Sequence, residues 1–593
     1  MTPRLSTAHP LWVVGAADSI RDRSDAASGC LVLRTKPDEH HPFASTSRII
    51  TQLEGEAGPR LRGLLAAARA ELRDQYVRPL ESNPAYLAAL RRVSRESLDT
   101  VVRTDRLARL ILEALIDKNI TRVVVPAVDR IDRTTIKVLA RCVQLQPGTD
   151  GVAWEWHLAY DPGTLAHTTS DDPAAMWLVT RDALLTRLRG LLNPIVVDGS
   201  GRHRSQHAEQ TVAVSPAGIQ DMGQALVAQN YDACFLWAGQ HPDYGTNRGD
   251  GVNLWRVTAL AAANTGQIDT ALCLLGRAYK AAAPATLRAH LAYMQGLVVA
   301  KRHFDIATSD RWYSVGLNEL DAVRTEDPGD PLTERAWIFN GLALNRLLAA
   351  RVARSDVGTV ARETFELLRR AFDLVRDGSQ PDRIYLRFNL LRNMSFFLEY
   401  QGQFDLAIKT WSETFSNMLP DGSGLEHAWR ATVDYRLGYL HYRAGRLDDA
   451  AALLENAHTS IERVGCPFRS LRTLASIGSV ALGRSDFQGA ERAFAAGLQR
   501  SLDVRMPGEA ARHARGLIAT AMRTDNSTRA RELLAWLASD ETAVWETLGY
   551  GERAEPGQVE PPEVSSGLTT EFPEIDLEST PAMPVERVLA GAR

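Results

Sequence analysis

One helical unit is written twice in residues 431–498, and an internal repeat limits what a chain can fold into more sharply than its composition does. In the first copy Leu437, Gly438, Gly445, Ala450, Leu454 and Ala457 fall at fixed offsets. In the second, Ile477, Gly478, Ser485, Ala490, Phe494 and Gly497 fall at the same offsets, 40 residues on. Small meets small and bulky meets bulky at every position. A small residue late in one helix and another early in the next let two helices approach closely, and Leu454 or Phe494 fills the groove one turn further on. A helix pair of this kind buries its apolar face only against its neighbours, so the spacing predicts a stack of helical hairpins.

Walking the spacing along the chain from about 216 to 540 gives small anchors at Ala233, Ala271, Ala307, Ala361, Ala407, Ala450, Ala490 and Ala530. Four residues on lie Trp237, Leu275, Arg311, Phe365, Trp411, Leu454, Phe494 and Leu534, of which only Arg311 is not bulky and apolar. Gly266, Gly402 and Gly445 each precede an anchor by five residues, as turn residues that tolerate left-handed backbone. The pattern resembles the tetratricopeptide repeat (TPR). That resemblance implies an all-α superhelix with a concave face lined by first helices, and binding of a protein or peptide there. Anchor spacings of 36 to 54 residues exceed the about 34 of a regular TPR and imply longer helices and loops. The Pro- and Gly-bearing stretch 325–331 is read as one such loop.

Residues 1–191 read differently. Short β-prone runs at 11–14, 30–33, 121–125 and 152–158 alternate with helical patterns near 45–53, 61–76, 99–115, 134–143 and 174–191. Strands alternating with helices predict an α/β domain with a largely parallel sheet. The run Arg122-Val-Val-Val-Pro-Ala-Val-Asp-Arg-Ile-Asp132, then a helix, then Val152-Ala-Trp-Glu-Trp-His-Leu158, is similar to the second half of a P-loop ATPase module of bacterial signal-transduction regulators, and 29–43 is similar to an early strand and helix of it. The chain departs from that family at its chemical centre. No Gly-x-x-x-x-Gly-Lys-Ser/Thr segment exists to cradle phosphates. Pro126 and Ala127 stand where the strand-end acids would hold Mg²⁺, and Asp129 and Asp132 are read as turn and capping residues. A degenerate module without nucleotide hydrolysis is expected, with no cofactor and no metal.

The formal charge of −4 over 593 residues argues against a broad nucleic-acid footprint. No apolar run reaches the roughly twenty residues of a membrane span, and no leader pattern opens the chain, so a cytoplasmic protein without a membrane partner is expected. Cys30, Cys142, Cys234, Cys273 and Cys466 are scattered and read as free buried thiols. Residues 192–215, rich in Gly, Ser and polar side chains, are read as a linker, with His203 and His207 as solvated histidines rather than metal ligands. Residues 541–593, Pro-rich and acidic, are expected to be disordered. Phe572, Ile575 and Leu577 within them have the composition of a short docking segment.

Candidate peptide-binding residues on first helices are Arg383, Tyr385, Arg387, Asn389, Arg392 and Asn393 in one unit, and Tyr435, Tyr439 and Tyr442, with Asp434, in the next. Arg and Asn make paired hydrogen bonds to planar groups such as peptide and carboxylate. The leading expectation is a binding scaffold or adaptor for a protein or peptide, with self-association left open. The alternatives are a regulator derived from signal ATPases, and an enzyme using Asp129, His157 and Asp161 at strand ends; no nucleophile–base constellation supports a catalytic assignment.

Overall fold

A computed structural model describes residues 10–15, 29–35, 42–55, 57–77, 98–146, 152–165, 172–198, 222–223, 225–226, 230–241, 243–246, 250–323, 328–352, 358–377, 380–415, 426–464, 467–504, 506–537 and 559–564. The chain forms two compact units, one running to Leu386 and the other spanning Arg387–Phe572.

The N-terminal part of the first unit is a five-stranded, all-parallel sheet. Its strands are β1 (Leu11–Val14), β2 (Cys30–Val32), β3 (Arg122–Val125), β4 (Ala153–Leu158) and β5 (Ile195–Asp198), in the order β2-β3-β4-β1-β5. Among the described residues five α-helices accompany it: α1 (Ala44–Glu54), α2 (Pro59–Val77), α3 (Leu98–Asp117), α4 (Arg133–Gln144) and α5 (Pro173–Leu192). The apolar runs form the central strands because both faces of a parallel sheet are covered. Trp12 and Trp156 are register partners on β1 and β4, stacked with centroids 5.7 Å apart. The stretch read as a linker begins, instead, with β5, which pairs with β1 along its whole length. It is a short edge strand whose Ile195 and Val197 are partly exposed, and its three-residue apolar run was read as part of the polar stretch that follows it. His203 and His207 lie outside the described residues.

Second in the chain come the helical hairpins. The first unit contains α6 (Tyr231–Gln240), α7 (Gly251–Asn264), α8 (Ile268–Ala281), α9 (Ala285–Val298), α10 (Ile306–Asp321), α11 (Pro331–Val352) and α12 (Gly358–Val375); α13 (Pro381–Tyr400) follows. The second unit continues with α14 (Phe404–Phe415), α15 (Glu426–Arg443), α16 (Leu447–Val464), α17 (Pro467–Gly483), α18 (Phe487–Asp503), α19 (Pro507–Arg523) and α20 (Ser527–Leu537). From Ala271 onward every expected anchor falls on the second helix of a hairpin, and within each unit the helices form a TPR-like array.

Among the described residues, the turns inside the hairpins repeat one device. Gly266, Gly402 and Gly445 have φ of 84°, 71° and 76°, and Ser485 and Asp525 take the same left-handed turn at 62° and 54°. The next residue donates its N–H to a carbonyl five back, as Gln267 does to Ala262 and Asp486 to Ala481, which closes the orphan carbonyls of the first helix. The same device corrects one register. Phe304 is left-handed at φ 55°, and five residues on is Ser309, fully buried, with fully buried Tyr313 four further. Ala307 is exposed, so Ser309 and Tyr313, not Ala307 and Arg311, are the anchor and filler of this unit. A serine serves because its hydroxyl donates to the Gly296 carbonyl at 2.8 Å, so burial leaves the serine satisfied.

The small–bulky spacing has its cause in side-chain contact. A Cβ on Gly438 would lie 2.9 Å from Leu454, and one on Gly478 or Gly516 would lie 2.6 or 2.4 Å from Phe494. Phe494 thus sits between a glycine of its own first helix and a glycine of the next. Tyr313 sits likewise between Gly296 and Gly341.

Cysteines follow the helical phase. Cys142 and Cys234 are buried as expected, Cys30 on β2 is only partly buried, and Cys273 is exposed, because a position two residues past the anchor Ala271 is about 200° round the helix from it. Cys466 lies outside the described residues. Among those described, no helix is long and apolar enough to cross a membrane.

Candidate functional site

Two places in the fold could carry function: the carboxyl edge of the parallel sheet, where open α/β sheets place ligands, and the face formed by the first helices of the hairpins.

At the sheet edge, the acids hold the fold together. Asp132 is the N-cap of α4 and accepts from Thr135 N at 2.8 Å. It also accepts from the backbone N–H of Phe43 and Ser45, both at 2.9 Å, and from the hydroxyls of Thr134 and Thr135, both at 2.7 Å. One carboxylate therefore ties the start of α1 to the start of α4. Asp129 is buried and accepts from Ala159 N at 3.1 Å, capping the end of β4; burial raises the pKa of both acids. His157 on β4 meets Glu155 at 2.7 Å, and Glu155 also pairs with Arg122 of β3. Asp161 pairs with Arg189 at 2.8 Å. The strand-end residues named as an enzyme alternative are thus separately engaged and do not converge as an acid, a base and a nucleophile. Among the described residues no cluster of three or more His, Cys, Asp or Glu could hold a metal ion. Behind the edge, Asp232 of α6 receives Arg133 of α4 and Arg181 of α5, each at 2.6 Å. All three are buried, so the first repeat helix is joined to the α/β layer by charge-assisted bonds in a low-dielectric setting.

On the first-helix face, the candidates separate by burial. Arg383 is held by Asp330 at 2.6 Å and by the Asp377 carbonyl at 2.9 Å, which closes the loop before α11. The side chain of Tyr385 lies outside the described residues. Asn389 is buried and accepts from Asn393 Nδ2 at 3.1 Å. Tyr435 is buried, its hydroxyl 3.0 Å from Ser476 Oγ of α17. Tyr439 is buried too and donates to Glu399 Oε1 at 2.5 Å, which raises its pKa to about 12, burial being the larger cause. Glu399 also receives Arg436, so this carboxylate knits α13 to α15. Those tyrosines pack repeats together because a first helix meets its neighbours on two sides, a distinction that residue type alone does not carry. Arg387, Asn393 and Tyr442 are partly buried and Arg392 is exposed. Burial raises the pKa of Asp434, partly exposed on α15.

Further along, the face is already in contact with peptide. Residues 559–564, from the segment expected to be disordered, lie without secondary structure against first helices α17 and α19. The hydroxyl of Ser479 on α17 shares its proton between the Pro562 carbonyl at 2.5 Å and the Ala475 carbonyl of its own helix at 2.9 Å, and Arg515 Nη2 on α19 donates to the Glu560 carbonyl at 3.3 Å. Val559 packs on the apolar cluster built by Leu482, Phe494, Leu517 and Ile518. Pro562 and Val564 are buried, while Glu560 and Glu563 face solvent. Segment-wide composition concealed these six residues, and neither Ser479 nor Arg515 carries a sequence signal of its own. Phe572, Ile575 and Leu577 lie outside the described residues.

No protein-family model and no curated protein matches the sequence. Among solved structures the chain is similar to the apo form of RapI, with 12% identity over 54% of this chain and 82% of that one, at a TM-score of 0.38. It is similar to a signal transduction ATPase with numerous domains (STAND) protein with a tetratricopeptide repeat sensor from Pyrococcus horikoshii, with 9% identity over 98% and 95% of the two chains and a TM-score of 0.41. A third is aspartyl phosphate phosphatase F from Bacillus subtilis, at 10% identity, 82% and 99% coverage and a TM-score of 0.32. At these scores no residue role or activity transfers to this chain.

Proposed function

We propose that this chain is a TPR-type regulator that binds a protein or peptide partner on the first-helix face of its second unit, the α/β layer serving as scaffold rather than as catalyst. The observation that carries this reading is the seating of 559–564 on α17 and α19: an extended stretch with no secondary structure, held by side-chain donors on its carbonyls and by buried apolar side chains. That is how a helical surface recognises an extended peptide without reading every side chain. Arg387, Arg392, Asn393 and Tyr442 extend the same kind of face along α13 and α15, and the guanidinium groups suit a carboxylate or backbone carbonyl.

The test is affinity capture with the full chain and two single variants. Arg392→Glu reverses a charge on an exposed first-helix position, and Glu455→Arg does so on the exposed face of the second helix α16. A partner retained by the wild type and by Glu455→Arg, and lost by Arg392→Glu, is the expected result. A partner lost by Glu455→Arg and kept by Arg392→Glu would place binding on the opposite face and overturn the reading.

A further inference from the structure

Resting on the reading above, we propose that the α17–α19 face is a site for an extended peptide of the pattern Val-x-x-Pro-x-Val, and that residues 559–564 of the same chain occupy it in cis. A partner segment of this chemistry must then displace the tail in order to bind.

Four features of the contact fit a built site better than a chance crossing. Pro561 and Pro562 have no backbone N–H, so a consecutive proline pair offers hydrogen-bond acceptors and no donors. The face answers with donors at the matching carbonyls, the Ser479 hydroxyl for Pro562 and the Arg515 guanidinium for Glu560. Two prolines also hold the segment near polyproline II before it binds, which lowers the ordering entropy of a short peptide. Finally, the segment alternates in register with the surface: Val559, Pro562 and Val564 turn inward while Glu560 and Glu563 point to water. Val559 reaches the cluster that contains Phe494, the residue around which the repeat itself is built.

The arithmetic of displacement follows from the tether. Val559 is joined to the end of α20 by residues 538–558, ample chain to span the repeat. A covalent tether of this length holds its end at an effective concentration on the order of millimolar. If the docked segment has an intrinsic dissociation constant of about 100 µM, a peptide in trans binds the full chain roughly tenfold more weakly than a chain with the tail undocked.

The experiment uses full-length protein and a fluorescein-labelled synthetic peptide of residues 556–567. Val559→Asp/Val564→Asp in the protein places carboxylates where apolar side chains are buried and releases the tail while leaving every repeat intact. The expected result is that this variant binds the labelled peptide roughly tenfold more tightly than wild type. Adding Ser479→Ala/Arg515→Ala to the undocked chain should abolish the gain, and a peptide carrying the same two Val→Asp changes should not bind. Equal, weak binding by the wild type and the undocked chain would overturn the proposal. That outcome leaves the binding reading standing if Arg392→Glu still releases a partner, and the two failures are thereby distinguishable. Tight peptide binding unaffected by Ser479→Ala/Arg515→Ala would place the peptide elsewhere and overturn it as well.

Discussion

At the scale of single residues, the second unit keeps a histidine where protonation is costly. His513 on α19 is fully buried, edge-on to Phe494 with ring centroids 6.2 Å apart, and a Cβ on Gly497 would collide with its ring. Burial pushes its pKa down to about 3; the guanidinium groups of Arg512 and Arg472 act the same way, and the Leu471 carbonyl opposes them. The unfolded chain, with an imidazole near 6.5, takes up a proton first as the pH falls. Stability is therefore greatest above pH ~6.5 and declines as pH drops toward the folded value, by about 2 kcal/mol between pH 7 and 5. Urea unfolding at those two pH values should show this loss in the wild type and lack most of it in His513→Leu. An equal loss in both would mean that the histidine is not the source. Little of this was legible in the sequence, since a histidine in a helix carries no sign of which face it occupies. The roles of Asp129 and Asp132 were legible, because an acid just before a helix is a capping signal whatever the tertiary fold.

Hairpins are the elements of this fold, and their logic is the glycine-to-bulky contact. Gly478→Ala gains about 1 kcal/mol of helix propensity but puts a methyl 2.6 Å from the Phe494 ring, and overpacking of that kind costs about 1–3 kcal/mol. Gly276 on α8 has open space around its Cβ position, so Gly276→Ala keeps the propensity gain without the clash. Chemical denaturation should show Gly478→Ala destabilised by up to about 2 kcal/mol and Gly276→Ala stabilised by about 0.5–1 kcal/mol. The reverse order would break the packing account. The hairpins were legible because small and bulky positions recur at fixed offsets. The register near Ala307 was not, because an alanine criterion passes over Ser309 and a glycine criterion passes over Phe304, although serine and phenylalanine there do the same structural work. Edge strand β5 was missed for a related reason. Its apolar run, residues 195–197, is only three residues long and adjoins the Gly-, Ser- and polar-rich stretch read as a linker, which absorbed it.

Across the whole molecule, the sequence showed an α/β layer followed by helical repeats, and that is the order of elements in the structure. Long-range polar contacts such as Asp232 with Arg133 and Arg181 join residues about fifty to a hundred positions apart, and no local pattern announces them. The same holds for 559–564, whose significance lies in what Ser479 and Arg515 do to it. The central claim is that first helices form the binding face. Its most direct measurement is methyl NMR of the full-length Val559→Asp/Val564→Asp chain titrated with the peptide of residues 556–567. The account predicts shifts at Leu482, Leu517 and Ile518, with none at Leu275 or Leu297 in the first unit. Shifts confined to the first unit, or none at saturating peptide, would contradict it.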